Sequence, residues 1–426
     1  MNNELLIGIV GDDFTGSSDA ASFLVKAGLK TMLFDGIPNN IDIHKDKIQA
    51  VVIALKSRMA PIEEAKTMSF MAAKWLYDHG AKHIYSKYCS TFDSTKKGNI
   101  GPILDNFIEK FNSKASFICP ALPINGRKVE NGILYINDVP LDKSPMKDHP
   151  LTPMWDSSLK VLMEAQSKYP CFIINRDQLY NENIVLSYIK ELNSKYEHYY
   201  LIPDYMDEDD AKQIAKVFGS MFIQSGGSGI LTELGKHYKN EANLSQSVLH
   251  TCDKTQGKPL LIAGSCSVAT QNQIKFFIES GNIGIKIDAD KLMRDEISAQ
   301  DIFNTFCKAP FNSIIYSTDS ADVITKLQNK YGVETLAKKI ENLVTEITQL
   351  AYKNGFTRYI VAGGETSGAL MRGLPKCGYL IGNSVAPGVP IMTPSNNKQI
   401  RLVLKSGNFG DIDFFKKALS MTGDIQ

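Results

Sequence analysis

The sequence predicts an α/β protein of two domains, each with a mainly parallel sheet, and an active site in the cleft between them. Short, near-continuous apolar runs of strand length recur along the chain. Each ends in a polar turn rich in Gly, Ser or Asp. A stretch with helical spacing then follows, which is the rhythm of parallel strands covered on both faces. The 426 residues exceed the ~100–200 of one domain, and 43% hydrophobic with 22% charged residues is an ordinary globular composition.

The elements follow in order. "LLIGIV" ends at "GDDFTGSSD" and passes into a helix that stops at Gly28. "AVVIAL" ends at "KSRMAP", and a helical stretch runs on to Gly80. "HIYSKY" runs into the polar "CSTFDSTKKGNIGP", then "ILDNFIEKF"; "ASFICPALP" is a fourth strand. Residues 123–156 break the rhythm, and "ENG" between two strand-like runs predicts a β-hairpin followed by an extended loop. The rhythm resumes with "CFIINR", "YYLIPD" and "SMFIQSGGSG". A polar stretch without periodicity gives the boundary: a first domain over 1–240, a linker over 241–257 and a second domain over 258–426. There "PLLIAG", "NSIIYS", "RYIVAG" and "IRLVLK" repeat the pattern. A long helix is expected over roughly 333–354, with Leu336, Ile340, Leu343, Ile347 and Leu350 on one face. The halves share this grammar without a convincing sequence repeat.

Composition narrows the function. A net charge of +1 gives no general basic excess for nucleic acid, so anion binding must come from local geometry. Seven scattered cysteines form no C-x-x-C pair, and the histidines show no metal-ligand spacing. Free thiols, the lack of a basic segment before the first apolar run, and the lack of an ~18-residue apolar run predict a cytoplasmic protein off the membrane. No Walker loop, no G-x-G-x-x-G after a strand and no G-x-S-x-G occurs.

Ligands of open α/β sheets bind beyond the carboxyl ends of the strands, so the polar turns are the candidates. Asp12 and Asp13 end the first strand before a helix. A cap needs one side chain, whereas here two acids stand with Thr15 and two serines. Asp13 is the better candidate for binding or proton abstraction. Lys56 and Arg58 end the second strand, and the Arg58 fork suits a carboxylate. Lys87, Ser90, Thr91, Asp93 and Asn99 could read several hydroxyls of one small ligand. The turns "GSCS" (264–267), "GGETSG" (363–368) and "SGNFG" (406–410) each join a strand to a helix, where small residues and the helix dipole suit a phosphate.

These motifs, with "LKSR", "PALPINGR", "HPLTPM", "GGSG" and "APGVP" in the same order, resemble the four-carbon acid sugar kinase family over nearly the whole chain. The form "KYCSTFDS" resembles the 3-oxo-tetronate kinase branch; threonate and erythronate kinases more often show a "DSTLRG"-like version. The resemblance implies phosphorylation of the 4-hydroxyl of a four-carbon sugar acid by ATP, with the acid in the first domain and ATP in the second. The expected assignments are Asp13 as the catalytic group and Asp12, Arg58, Lys87, Ser90, Thr91, Asp93 and Asn99 as acid-binding. Ser265, Gly363, Gly364, Glu365, Thr366 and Gly407 are the expected ATP-binding set. Mg²⁺ is expected to bridge the phosphates, through ligands the sequence leaves unknown. The partners are the sugar acid and ATP, with a homodimer as a further expectation. A D-threonate or D-erythronate 4-kinase, an aldolase or dehydratase using Lys56 or Lys87, and a sensor that binds both ligands without turnover stay open as alternatives.

Overall fold

A strand buried on both faces carries mostly apolar side chains, and Ile7–Gly11, Ala50–Ala54 and Pro259–Ala263 follow that rule. The computed structural model describes residues 4–39, 43, 47–148, 152–244, 252–310, 312–319 and 321–424. Residues 245–251 of the expected linker and 149–151 of "HPLTPM" lie outside the described residues. The chain forms two compact units, residues 1–249 and 250–426. No helix among the described residues is long and apolar enough to cross a membrane.

The strands of the first unit are β1 (Ile7–Gly11), β2 (Thr31–Asp35), β3 (Ala50–Ala54), β4 (His83–Lys87), β5 (Ala115–Cys119), β6 (Arg127–Glu130), β7 (Ile133–Ile136), β8 (Val139–Pro140), β9 (Cys171–Ile174), β10 (Tyr199–Pro203) and β11 (Ile223–Gly226). Its main sheet is parallel throughout, in the order β2-β3-β1-β4-β11-β5-β10-β9. All five residues of β1, β3, β5 and β10 are buried. The expected hairpin is β6–β7. Its turn residues Asn131 and Gly132 have φ of 50° and 74°, the two positive values that a tight two-residue hairpin turn requires. The extended loop expected after it differs: β8 adds a short third strand, and 3₁₀ turns follow at Leu141–Lys143 and Pro145–Asp148.

The second unit contains β12 (Pro259–Ala263), β13 (Ile283–Lys286), β14 (Ser313–Tyr316), β15 (Arg358–Ala362), β16 (Gly378–Ala386), β17 (Val389–Pro394) and β18 (Arg401–Lys405). Their order is β13-β14-β12-β15-β18-β17-β16, with the first five parallel and the β16–β17 hairpin antiparallel. The predicted long helix spans Val333–Lys353.

Both units share one winding. In each, the third strand lies beside the first, the second lies outside the third, and the fourth lies on the other side of the first. The winding therefore reverses between β1 and β4, and again between β12 and β15. At such reversals the loops leave in opposite directions and open a crevice at the carboxyl ends of the strands.

Candidate active site

In the first unit the crevice falls where Asp12 and Asp13 follow β1 and Lys87 ends β4. The Asp12 backbone ties three strand ends together. Its N–H donates to Lys87 O at 3.1 Å, and its carbonyl accepts from Ser57 N at 3.2 Å and Arg58 N at 3.4 Å. Asp13 caps the helix Phe14–Lys26: Oδ1 accepts from Gly16 N at 2.8 Å, and Oδ2 from the Thr15 hydroxyl at 3.3 Å. A side chain at position 16 would meet Asp13 Oδ1 at 2.4 Å and Lys87 Nζ at 3.2 Å, so Gly16 lets the acid and the ammonium close on the turn.

The Arg58 fork differs from its expected role. Nε donates to Asp12 Oδ2 at 2.7 Å and Nη2 to Asp12 Oδ1 at 2.9 Å, with Asp13 Oδ2 another 3.2 Å from Nη2. Burial works against the Arg58 charge, and Asp12 and Asp13 more than offset it, holding its pKa well above the ordinary value. The fork assigned to a substrate carboxylate is thus closed on a protein carboxylate. The Asp12 side chain is 12% exposed against 33% for Asp13, so Asp13 is the acid that a ligand can reach.

Asn99 also differs from a hydroxyl-reading group. Its amide donates to the carbonyls of Ser57 (2.7 Å), Arg58 (3.2 Å) and Ala60 (2.8 Å), which braces the turn carrying Arg58. Lys87 is 4% exposed and donates to Tyr88 O at 2.9 Å. Asp12, Arg58, Lys87, Asp93 and Asn99 share one small pocket of about 20 Å³, room for about one water rather than for a sugar acid.

The loop after β4 is shaped by Phe92. It is fully buried, stands edge-on to Tyr88 and takes a left-handed φ of 50°, a strained conformation for a bulky residue. That bend gathers the Thr91 hydroxyl onto Asp93 Oδ1 at 2.5 Å and the Asp93 N–H onto Cys89 Sγ at 3.1 Å. Burial, with Asp93 adding to it, pushes the Cys89 thiol up to about 12, so it stays protonated. Ser90 is half-buried; a side chain at Gly227 would stand 3.6 Å from its Cβ, which brings the "GGSG" turn to this loop.

Sequence reasoning missed Asp19 and Ser228. The Ser228 hydroxyl donates to the Asp19 carboxylate, and burial raises Asp19 to about 6, with Lys87 pulling the other way. An acid beside Ala20 and Ala21 on the buried face of a helix was the available signal.

In the second unit the three Gly-rich turns converge. A side chain at Gly264 would meet Thr366 Oγ1 at 2.2 Å, one at Gly363 would meet Ser265 N at 3.1 Å, and one at Gly407 would meet Ser265 Oγ at 2.2 Å. Ser267 caps the helix Val268–Glu279 and donates to Gly407 O at 2.7 Å. Gly364 and Glu365 open the helix Gly364–Gly373 and are exposed. A cavity of about 710 Å³ adjoins the first two of these turns through Gly264, Glu365 and Thr366, a size ordinary for a small-molecule site. Its apolar lining comes mainly from the helices Ala321–Tyr331 and Val333–Lys353, with Ile287 and Ala289 added. The predicted apolar face of the long helix therefore divides: Leu336 and Ile340 line the cavity, whereas Leu343 and Ile347 are buried without lining it.

Lys405 was not anticipated. It is fully buried, and its ammonium donates to Thr270 Oγ1, Ser406 O and Gly407 O, each at 3.0 Å, holding the third turn from beneath. Burial pulls it down to about 8. A lysine depressed on folding holds fewer protons folded than unfolded between about pH 8 and pH 10.5, so its contribution to stability rises with pH across that window. Thermal unfolding at pH 7.5 to 10 should show this component in the wild type and lose it in Lys405→Met. Equal pH slopes in the two proteins would reject it.

Comparison with known proteins agrees with this division. Residues 7–234 match a model described as a sugar-binding N-terminal domain, and residues 260–415 match one described as a nucleotide-binding C-terminal domain. A 3-oxo-tetronate kinase of Haemophilus influenzae is 36% identical over 98% of this chain and 100% of its own. One of Actinobacillus succinogenes is 35% identical with the same coverage. A crystal structure from Salmonella typhimurium LT2, provisionally described as a tRNA synthase, superposes with a TM-score of 0.87 at 32% identity, covering 97% of this chain and 98% of that one. A Haemophilus influenzae structure superposes with a TM-score of 0.80 at 35% identity, covering 97% and 100%. By both domain matches and by end-to-end likeness to such relatives, the chain belongs to the four-carbon acid sugar kinase family.

Proposed function

We propose that the chain phosphorylates the 4-hydroxyl of 3-oxo-tetronate with ATP, giving 3-oxo-tetronate 4-phosphate and ADP. The end-to-end match to 3-oxo-tetronate kinases carries this reading. The two crevices support it: one holds acids, a buried ammonium and hydroxyls, the other small-residue turns beside a nucleotide-sized cavity.

The acid's hydroxyl oxygen attacks the γ-phosphorus in line, the bond to the β-phosphate oxygen breaks, and ADP leaves. Asp13 orients the hydroxyl and takes its proton. The rest is positioning and charge stabilisation. The 20 Å³ pocket is too small for the acid, so the ligand rests outside it, against Asp13, Ser90 and Thr91, which neighbour its lining residues Asp12 and Asp93 in the chain. The phosphates take the N–H groups of the turns at Ser265, Gly363–Gly364 and Gly407, and the base takes the apolar part of the cavity. Thr366 adds a hydroxyl.

Glu365 is ill-suited to touch phosphate directly, because like charges repel. A phosphate-borne Mg²⁺ resolves this, since that ion commonly uses only one or two protein carboxylates. Glu365 and Asp319 border the cavity and would hold it. Among the described residues no cluster of three or more His, Cys, Asp or Glu could hold a metal alone. When bound, the ion would neutralise the phosphate charge.

ADP release measured over a panel of four-carbon acids tests the reading. Turnover should be fastest with 3-oxo-tetronate. Preference for D-threonate or D-erythronate would move the substrate within the family. No ADP from any acid would reject the kinase reading and favour a sensor.

A further inference from the structure

We propose that Arg127 binds the carboxylate of the sugar acid and thereby sets the preference for an acid over an uncharged sugar. This rests on the kinase reading and adds a residue to it.

The first unit contains three arginines, Arg58, Arg127 and Arg176. Arg58 is forked onto Asp12, and Arg176 is paired with Asp207 and Asp210. Arg127 has no carboxylate partner among the described residues. Its Nη1 donates to Asn125 O, its Nε is buried with no partner among the described residues, and its Nη2 makes no bond to them. A half-buried guanidinium with an unmatched N–H is costly to keep. A ligand carboxylate supplies the missing charge and acceptors, in the planar geometry that a guanidinium matches.

The backbone fixes where this guanidinium stands. Beyond β5 the chain makes a 3₁₀ turn at Pro123–Asn125 and reverses at Gly126, whose φ is 73°. A side chain there would strike Asn137 Oδ1 at 2.1 Å, so the reversal needs glycine twice over. Leu122 and Arg127 then exchange both backbone hydrogen bonds, at 2.9 and 3.1 Å. Arg127 is thus pinned just past the carboxyl end of β5, on the ligand-binding edge of the sheet.

The same edge carries the polar loop. Side chains at Gly227 and Gly229 would meet Pro120 O at 2.6 Å and Ala121 O at 2.4 Å, so the "GGSG" turn packs directly on the segment leading to Arg127. Gly227 also faces Ser90. Burial lowers the Arg127 pKa, opposed by the Asp93 carboxylate of that loop, which places the guanidinium within its field. Lys87 is a weaker candidate, being 4% exposed, bonded to Tyr88 O and set against Asp19.

The test compares 3-oxo-tetronate with erythrulose, which carries CH₂OH in place of the carboxylate. Binding is followed by calorimetry, and turnover by ADP release, in wild type, Arg127→Met and Arg127→Lys. Arg127→Met should raise the Kd and KM for the acid by about 10–100-fold, the worth of a charge-assisted hydrogen-bonded pair. The KM for ATP and the erythrulose values should stay put. Arg127→Lys should recover part of the loss, and it carries the test should the Met variant not fold. Unchanged acid binding would overturn the proposal, as would equal losses for acid and erythrulose. Acid that binds wild type through Arg127 without ADP release would leave this proposal standing and remove the kinase reading. A wild type that binds no acid would remove both.

Discussion

Asp13→Asn is expected to lower kcat by at least ~10²-fold, about 2.7 kcal/mol of barrier, in a protein that still folds and binds both ligands. The geometry makes this substitution selective. Asn keeps the oxygen that accepts from Gly16 N at 2.8 Å, so the helix stays capped. It replaces Oδ2, the oxygen 3.2 Å from Arg58 Nη2, with a donor that neither accepts a proton nor pairs with a guanidinium. Asp13→Ala removes the cap as well and should add a stability loss of about 1 kcal/mol, which separates the two roles of one side chain. Near-normal kcat in folded Asp13→Asn would pass the catalytic role to Asp93. A large loss restored by excess Mg²⁺ would make Asp13 a metal ligand instead.

Gly363→Val and Gly407→Val should each raise the KM for ATP by about 10–100-fold while leaving the KM for the acid near its wild-type value. The two act by different routes. Gly363 has φ of 123°, a conformation that a β-branched residue avoids, and its side chain would also press on Ser265 N and Thr366 Oγ1. Gly407 needs no unusual φ; its side chain would strike Ser265 Oγ and Ser267 Oγ, at 2.2 and 2.9 Å. Gly407→Ala should therefore recover more activity than Gly363→Ala, because serine side chains can turn aside and a backbone angle cannot. ATP kinetics unchanged in both Val variants would take the nucleotide away from these turns.

Local chemistry was legible in the sequence. Most of the buried strands were legible as apolar runs, because a strand covered on both faces is apolar at most positions. "NG" gave the β6–β7 turn through the two positive φ values it tolerates. Asp12–Asp13 and the three small-residue turns marked strand ends in both units. Among the main-sheet strands that reading did not mark β2, β13, β16 or β17; β2 and β17 are largely buried, but Thr31, Asp35, Thr393 and two prolines interrupt their apolar runs. β13 (Ile283–Lys286) has exposed ends and lies at the edge of its sheet, and β16 carries exposed Asn383 and Ser384 within it.

Partnership was decided only by the tertiary structure. Periodicity reports whether a side chain is covered, not by what, and strand order cannot be read from a list of strands. The common winding of the two units is invisible in their residues, yet it sets Asp12 beside Lys87 and Gly264 beside Thr366 at matching reversals. Arg58 had the side chain a carboxylate ligand would want. Because β3 lies directly beside β1, the fork meets Asp12 first and closes on it. Arg127, in a hairpin with no apolar signal to draw attention, is left by the same packing without a carboxylate among the described residues. Sequence fixes which charges the chain carries; the crossovers between parallel strands decide which of them neutralise each other and which remain for a ligand.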